Sequence, residues 1–282
     1  MTRVGSSPAR IARVFARLRA AGQAGFVPFV TFGDPEPGLT RSLLEALERA
    51  GADLIEIGVP FSDPMADGPV LQRAAQRALA GGATLRGCLD TVAEFRRSSD
   101  VPIVLFGYYN PIFRYGPERL AADARTAGVD AVLCVDLPPE ESRELEQPAR
   151  AHGIDLIHLL APTSTLSRMR TVLSRARGFV YFVAVSGVTG VRAELPQNLE
   201  TLVRSVKRLT PLPVGVGFGI STPEQAAAVA RFADAVVVGS AIGRVIESCG
   251  SERDVLGAVE AFARSLAAAV HGARTPRAEE RR

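Results

Sequence analysis

Two carboxylates define the chemistry open to this chain. In the stretch 54–72, LIEIGVPFSDPMADGPVLQ, Glu56 sits at the end of a buried apolar strand and Asp67 lies in the loop that follows. An unpaired carboxylate in an apolar strand is costly, so a chain that keeps one there usually uses it. Two acids at the mouth of one strand point to proton transfer on an uncharged organic substrate. For Glu56 the alternative is a salt-bridged core acid, but near the expected strand tops the only arginines are Arg114 and Arg192, in loops. For Asp67 the alternative is a cap on the helix beginning near Pro69. Asp63 reads as a turn-builder. Tyr181 points from the sixth apolar run, with a core role as its alternative.

A second signal comes from glycines late in the chain. GVGFGIS (215–221) and GSAIG (239–243) follow two successive apolar runs. Gly219 lets backbone approach an anion, and Gly239 and Ser240 offer bare amides and a hydroxyl. Aligned amides at a helix N-terminus hold a phosphate without a lysine. The alternative is that these glycines only make tight strand–helix turns.

These groups need a frame. Eight short apolar runs recur along the chain: 25–32, 53–58, 102–107, 131–135, 155–160, 178–185, 213–217 and 235–239. Continuous rather than alternating hydrophobicity marks strands buried on both faces, hence parallel strands under helices. Amphipathic segments separate them at 38–50, 84–97, 117–127, 140–152, 165–176, 195–209 and 222–232. Thr84 is a candidate N-cap, and Pro148 should kink or shorten its helix. Eight strand–helix units give the α/β class, a single (β/α)8 TIM barrel, with its site at the C-terminal ends of the strands. An open doubly wound sheet would carry GxGxxG after the first strand, which is absent. An extra N-terminal helix at 7–21 is expected to plug the barrel floor, and a helix at 253–270 to pack outside the last strand. One catalytic domain over 1–272 and a disordered basic tail over 273–282 are expected.

Composition narrows the function classes. The chain has 282 residues, 47% of them hydrophobic and 22% charged, which is a globular balance. Net charge is +3, with no basic patch interleaved with aromatics, so nucleic acid is not an expected partner. Cys88, Cys134 and Cys249 are scattered, and His152, His158 and His271 show no ligand spacing, so no metal is expected. No apolar run reaches about 18 residues and no signal-type core follows the N-terminus, so a soluble cytoplasmic protein, not a membrane protein, is expected.

With these pieces in view, the chain resembles the α subunit of tryptophan synthase. The motifs that carry the resemblance are FVPFVTFGDP (26–35), LIEIGVPFSDPMADGP (54–69), GYYNPIFRYG (107–116), VDLPPEES (135–142), LLAPTST (159–165), GFVYFVAVSGVTG (178–190), GVGFGIS (215–221) and VVGSAI (237–242). Together they run from about Phe26 to Ile246, nearly the whole barrel. The resemblance implies a lyase of tryptophan biosynthesis that cleaves indole-3-glycerol phosphate to indole and glyceraldehyde 3-phosphate by a retro-aldol reaction. It implies Glu56 as general acid–base, Asp67 as acceptor of the indole N–H, and Tyr181 beside the reacting side chain. It places the phosphate on Gly190, Gly219, Gly239 and Ser240, and the indole between Phe26, Leu133 and Phe218. It makes 186–196 a lid, with Thr189 closing towards Asp67. No cofactor is implied in this chain. Pyridoxal phosphate is expected in a β subunit that would complete an α2β2 hetero-tetramer, docked on loop 60–69 and around Asn110-Pro111.

Departures from the family pattern are Ala184 where serine is common, Ala235 where glycine is frequent, and Gly243-Arg244 after GSAI. None removes a catalytic group. Two alternatives stay open at this stage: a stand-alone lyase releasing free indole for secondary metabolism, and a catalytically silent phosphate-binding barrel that activates a β partner.

Overall fold

Each apolar run is short because only a few residues span the barrel wall, with one face packed under helices and the other turned into the interior. In the computed structural model, which describes residues 10–184, 198–217 and 219–274, the strands are β1 (Gly25–Thr31), β2 (Ile55–Gly58), β3 (Ile103–Gly107), β4 (Ala131–Cys134), β5 (Asp155–Leu160), β6 (Val180–Val183), β7 (Val214–Gly217) and β8 (Ala235–Val238). They pair in parallel in chain order, and β8 closes on β1. The architecture is the expected (β/α)8 barrel.

The helices are α1 (Arg10–Ala20), α2 (Thr40–Arg49), α3 (Pro69–Ala80), α4 (Leu85–Phe95), α5 (Tyr109–Tyr115), α6 (Pro117–Ala127), α7 (Arg143–Ala151), α8 (Leu166–Arg175), α9 (Leu199–Lys207), α10 (Pro223–Ala230), α11 (Ser240–Ser248) and α12 (Glu252–Gly272). Thr84 caps α4 as expected, its hydroxyl accepting the Gly87 amide at 3.1 Å. Thr165 and Thr222 do the same for α8 and α10. The segment 140–152 is shortened to α7, which continues through Pro148. Tyr109 and Asn110 begin the short helix α5.

α1 does plug the barrel floor. Its Ile11, Phe15 and Leu18 join the inward-facing residues Val27, Leu54, Val104 and Phe179 in one buried cluster. The Phe15 and Phe179 rings lie 5.8 Å apart. Buried Asp53 pins this floor: its carboxylate takes Arg17 of α1 at 2.5 Å, His271 of α12 at 2.7 Å and the Phe26 amide at 2.9 Å. Asp130 and Asp234 repeat the backbone part of this device, each accepting an amide of the preceding strand at 2.9 Å (Ile103 and Val214). An aspartate before an even-numbered strand thus ties it to its odd-numbered neighbour in three of the four pairs.

The position of α12 differs from expectation. It lies against α2, α10, α11 and β1, so it covers the seam where the barrel closes rather than the last strand alone. Ala273 and Arg274 also differ from a free tail, because the Arg274 guanidinium bonds the Ala230 and Ala233 carbonyls. The remainder of the expected tail, 275–282, lies outside the described residues. Among the described residues no helix is long and apolar enough to cross a membrane.

Candidate active site

Strand alternation selects which side chains meet at the C-terminal mouth. Phe29 of β1, Glu56 of β2, Phe106 of β3, Leu159 of β5, Tyr181 and Val183 of β6 and Val237 of β8 turn inward and line a cavity of about 590 Å³. Two glycines make room for the rings. A β-carbon on Gly58 would run into the Phe29 ring, and one on Gly217 into the Tyr181 hydroxyl. Each glycine lies on a neighbouring strand of the ring it accommodates.

Glu56 is 1% exposed, and neither of its carboxylate oxygens has a hydrogen-bond partner. Burial alone pushes its pKa up to about 8. The salt-bridged-core alternative therefore fails among the described residues, because nothing there neutralises the group. An unpaired acid in such a pocket stays protonated near neutral pH.

Asp67 lines the same cavity and does not cap a helix. The N-cap of α3 is Gly68, which makes no side-chain cap bond. The Asp67 carboxylate instead accepts the Tyr108 hydroxyl at 3.0 Å, and that hydroxyl accepts the Ala66 amide at 3.0 Å. Burial raises the Asp67 pKa to about 6, with the Tyr108 bond opposing the rise. Gln72 of α3 donates to the Asp67 carbonyl at 2.9 Å, steadying the loop from its other side. Asp63 makes a turn, as read: its carbonyl accepts the Met65 amide. Tyr181 is buried, and its hydroxyl proton is held by burial and by the charges of Glu56 and Asp67. It is a neutral hydrogen-bonding group beside two acids.

Across the cavity stand Gly219, Gly239 and Ser240. Gly219 has φ +72°, a left-handed conformation that suits glycine. Ser240 opens α11 with Gly239 as its N-cap, so the positive end of the helix dipole meets the cavity. A partly exposed ion-pair network ties α11 to α3, the helix that follows the Asp67 loop. Arg77 of α3 holds buried Asp34 at 2.8 and 3.1 Å, and Arg73 and Arg77 both grip Glu247 of α11. Gly243 serves the same junction: a β-carbon there would stand 3.2 Å from Val70 of α3.

One expected wall residue is misplaced. Phe26 has the opposite parity to Glu56's partner Phe29, so it faces outward and is buried with Leu43, Leu44 and Leu47 under α2. Phe29 takes the wall position. Leu133 is inward and fully buried, but the cavity wall next to β4 is Val135, two residues nearer the mouth. Phe218, Thr189 and Gly190 lie outside the described residues, as does the whole of the lid segment 186–196. Residues given no role in the sequence reading include Phe29, Phe106, Tyr108 and the rim residue Arg168, which pairs with Glu140. Alternation counted back from Glu56's paired neighbour would have found Phe29. Tyr108 directly follows the third apolar run, but nothing local ties it to Asp67. Among the described residues no group of three or more His, Cys, Asp or Glu side chains is placed to hold a metal ion.

A family model described as tryptophan synthase alpha chain matches residues 15–271. A tryptophan synthase alpha chain of Citrifermentans bemidjiense is 55% identical over 238 residues, spanning 84% of this chain and 89% of that one. One of Burkholderia thailandensis is 51% identical over 270 residues, 95% of this chain and 99% of that one. Among solved structures, tryptophan synthase subunit alpha from Legionella pneumophila superposes with a TM-score of 0.86 at 40% identity, covering 94% of this chain and 99% of that one. A chain of Mycobacterium tuberculosis tryptophan synthase gives 0.86 at 35% identity, covering 94% and 99%.

Proposed function

The chain belongs to the tryptophan synthase alpha chain family, and from that premise we propose that Glu56 and Asp67 divide the chemistry of its reaction between a protonated and an ionised carboxyl group. It is a lyase that cleaves indole-3-glycerol phosphate to indole and glyceraldehyde 3-phosphate. The observation that carries the division of roles is the difference between the two acids in one cavity: Glu56 is pushed to about 8, while Asp67 reaches only about 6. Near pH 7 the first holds its proton and the second is charged.

The reaction needs a proton on the indole ring carbon that bears the glycerol chain, and the loss of one from the adjacent side-chain hydroxyl. Glu56 delivers its proton to the ring carbon. Positive charge then develops on the ring nitrogen, and the Asp67 carboxylate accepts the indole N–H and stabilises that charge. The Glu56 carboxylate next removes the hydroxyl proton as the carbon–carbon bond breaks. The hydroxyl becomes the aldehyde, the ring recovers its electrons as indole, and Glu56 regains the proton it gave. Tyr181 orients the reacting side chain. Gly219, Gly239 and Ser240, with Gly190, hold the phosphate, and Phe29 and Phe106 flank the ring. Closure of the lid through Thr189 excludes water.

The chain itself uses no cofactor in this scheme. Pyridoxal phosphate would sit in a β subunit of an α2β2 hetero-tetramer. Met65 on the loop before α3 is 83% exposed and Phe113 of α5 is 56% exposed, which supports docking of that subunit at this rim. The test is the pH dependence of kcat/KM for glyceraldehyde 3-phosphate release, with and without a β subunit. A bell with limbs near pH 6 and pH 8 is expected. A rate that is flat across that range overturns the division of roles. A rate without β as high as the paired one overturns the dependence on a partner.

A further inference from the structure

The barrel's opposite face holds a second concave site, of different character. We infer that it binds a multiply charged phosphate anion. A cleft of about 880 Å³ opens there, and six cations line it: Arg19, Arg204, Lys207, Arg208, Arg231 and Arg274. They come from α1, α9 and the residue after it, the residue after α10 and the residues after α12, so they are dispersed in sequence and gathered only by the fold. All stand near helix C-termini, at the N-terminal ends of the strands and away from the catalytic mouth.

Helix C-termini attract cations through their carbonyls, and that effect accounts for part of the group. Arg274 bonds the Ala230 and Ala233 carbonyls, and Lys207 bonds the Phe232 carbonyl and Asp234. Arg204 pairs with Glu200. These three build the walls. The other three have no such duty. Arg208 bonds only the Ser205 hydroxyl, and Arg19 and Arg231 have no side-chain partner among the described residues. Among the described residues Asp234 and Glu200 are the acids that pair with lining residues, which leaves four positive charges in excess among those residues. Like charges gathered in a concavity repel one another, and their combined field concentrates anions. Guanidinium forks match phosphate oxygens two at a time, which favours a diphosphate over a single halide or carboxylate. Phe232, Ala20 and Ala21 line the same cleft and offer apolar surface to a group attached to the diphosphate.

The test is calorimetric titration of the full chain with inorganic pyrophosphate and, separately, with ADP. Saturable binding at one site beyond the catalytic phosphate site is expected, weakening as salt rises. Arg208→Glu combined with Arg231→Glu should weaken it by about tenfold or more, while indole-3-glycerol phosphate cleavage stays unchanged. Arg19→Gln with Arg231→Gln checks that the loss follows charge and not misfolding, since both side chains are exposed. Tighter binding of ADP than of pyrophosphate would identify a nucleotide, and equal binding a free diphosphate. Absence of binding, or binding unaltered in both double variants, overturns the inference.

Discussion

The Tyr108 hydroxyl donates to Asp67 at 3.0 Å while accepting the Ala66 amide at 3.0 Å. One phenol from the end of β3 thereby holds both the carboxylate and the backbone of the loop that carries it. The Phe61 ring packs 5.4 Å from the Tyr108 ring and closes the same junction. Tyr108→Phe keeps the ring and removes both bonds. The Tyr108 bond lowers the Asp67 pKa against burial, so the acidic limb of kcat/KM should move to higher pH. A hydrogen bond to a charged group contributes about 1.5–3 kcal/mol, so activity on that limb should fall by roughly tenfold or more. An unshifted limb would show that Tyr108 does not set the charge of Asp67.

Glu56 also governs stability against pH. Its folded pKa is about 8 against an ordinary 4.5. Between those values the native state holds a proton that the unfolded chain has released. Stability should therefore fall as pH rises through this window, by up to about 1.4 kcal/mol per pH unit. Asp67 adds the same sign over its own lower window, from 3.8 to about 6. Glu56→Gln removes the larger effect. Urea midpoints from pH 5 to 8 should show the variant more stable than the wild type at pH 8, and the difference should shrink towards pH 5.

Gly217 and Tyr181 form a steric pair, because a β-carbon on Gly217 would occupy the place of the Tyr181 hydroxyl. Gly217→Ala should displace the phenol, lower kcat and destabilise the barrel by about 1–3 kcal/mol. Combining it with Tyr181→Phe removes the nearest obstructing atom but leaves the ring carbon Cζ 2.5 Å from that β-carbon. The double variant should regain only part of the stability and none of the activity, a coupling that thermal melts and turnover measure together.

Much of this arrangement was legible in the chain. Runs such as 155–160 and helices such as 117–127 coincide with β5 and α6 because local hydrophobicity and a first-turn proline set their limits. Glu56 stood out because an acid in an apolar strand has few other uses. The resemblance set Phe26 on the indole wall, and the sequence offered no check, because a run buried on both faces gives no local sign of which residues face inward. Only the pairing of Phe29 with Glu56 supplies that parity. The role of Tyr108 and the basic cleft escaped for a related reason, since their partners lie far away in sequence. Arg19 and Arg231, for example, meet at one cleft across more than two hundred residues.

The most direct measurement is single-turnover cleavage of indole-3-glycerol phosphate by Glu56→Gln, alongside the substrate's dissociation constant. Glutamine keeps the shape of the side chain and removes the proton that is both given and retaken. A loss of about 10⁴-fold in the cleavage rate is expected, at the upper end for a positioned acid–base group, with substrate affinity within a few-fold of wild type. Cleavage at a rate near wild type would contradict the assignment of the proton transfers to Glu56.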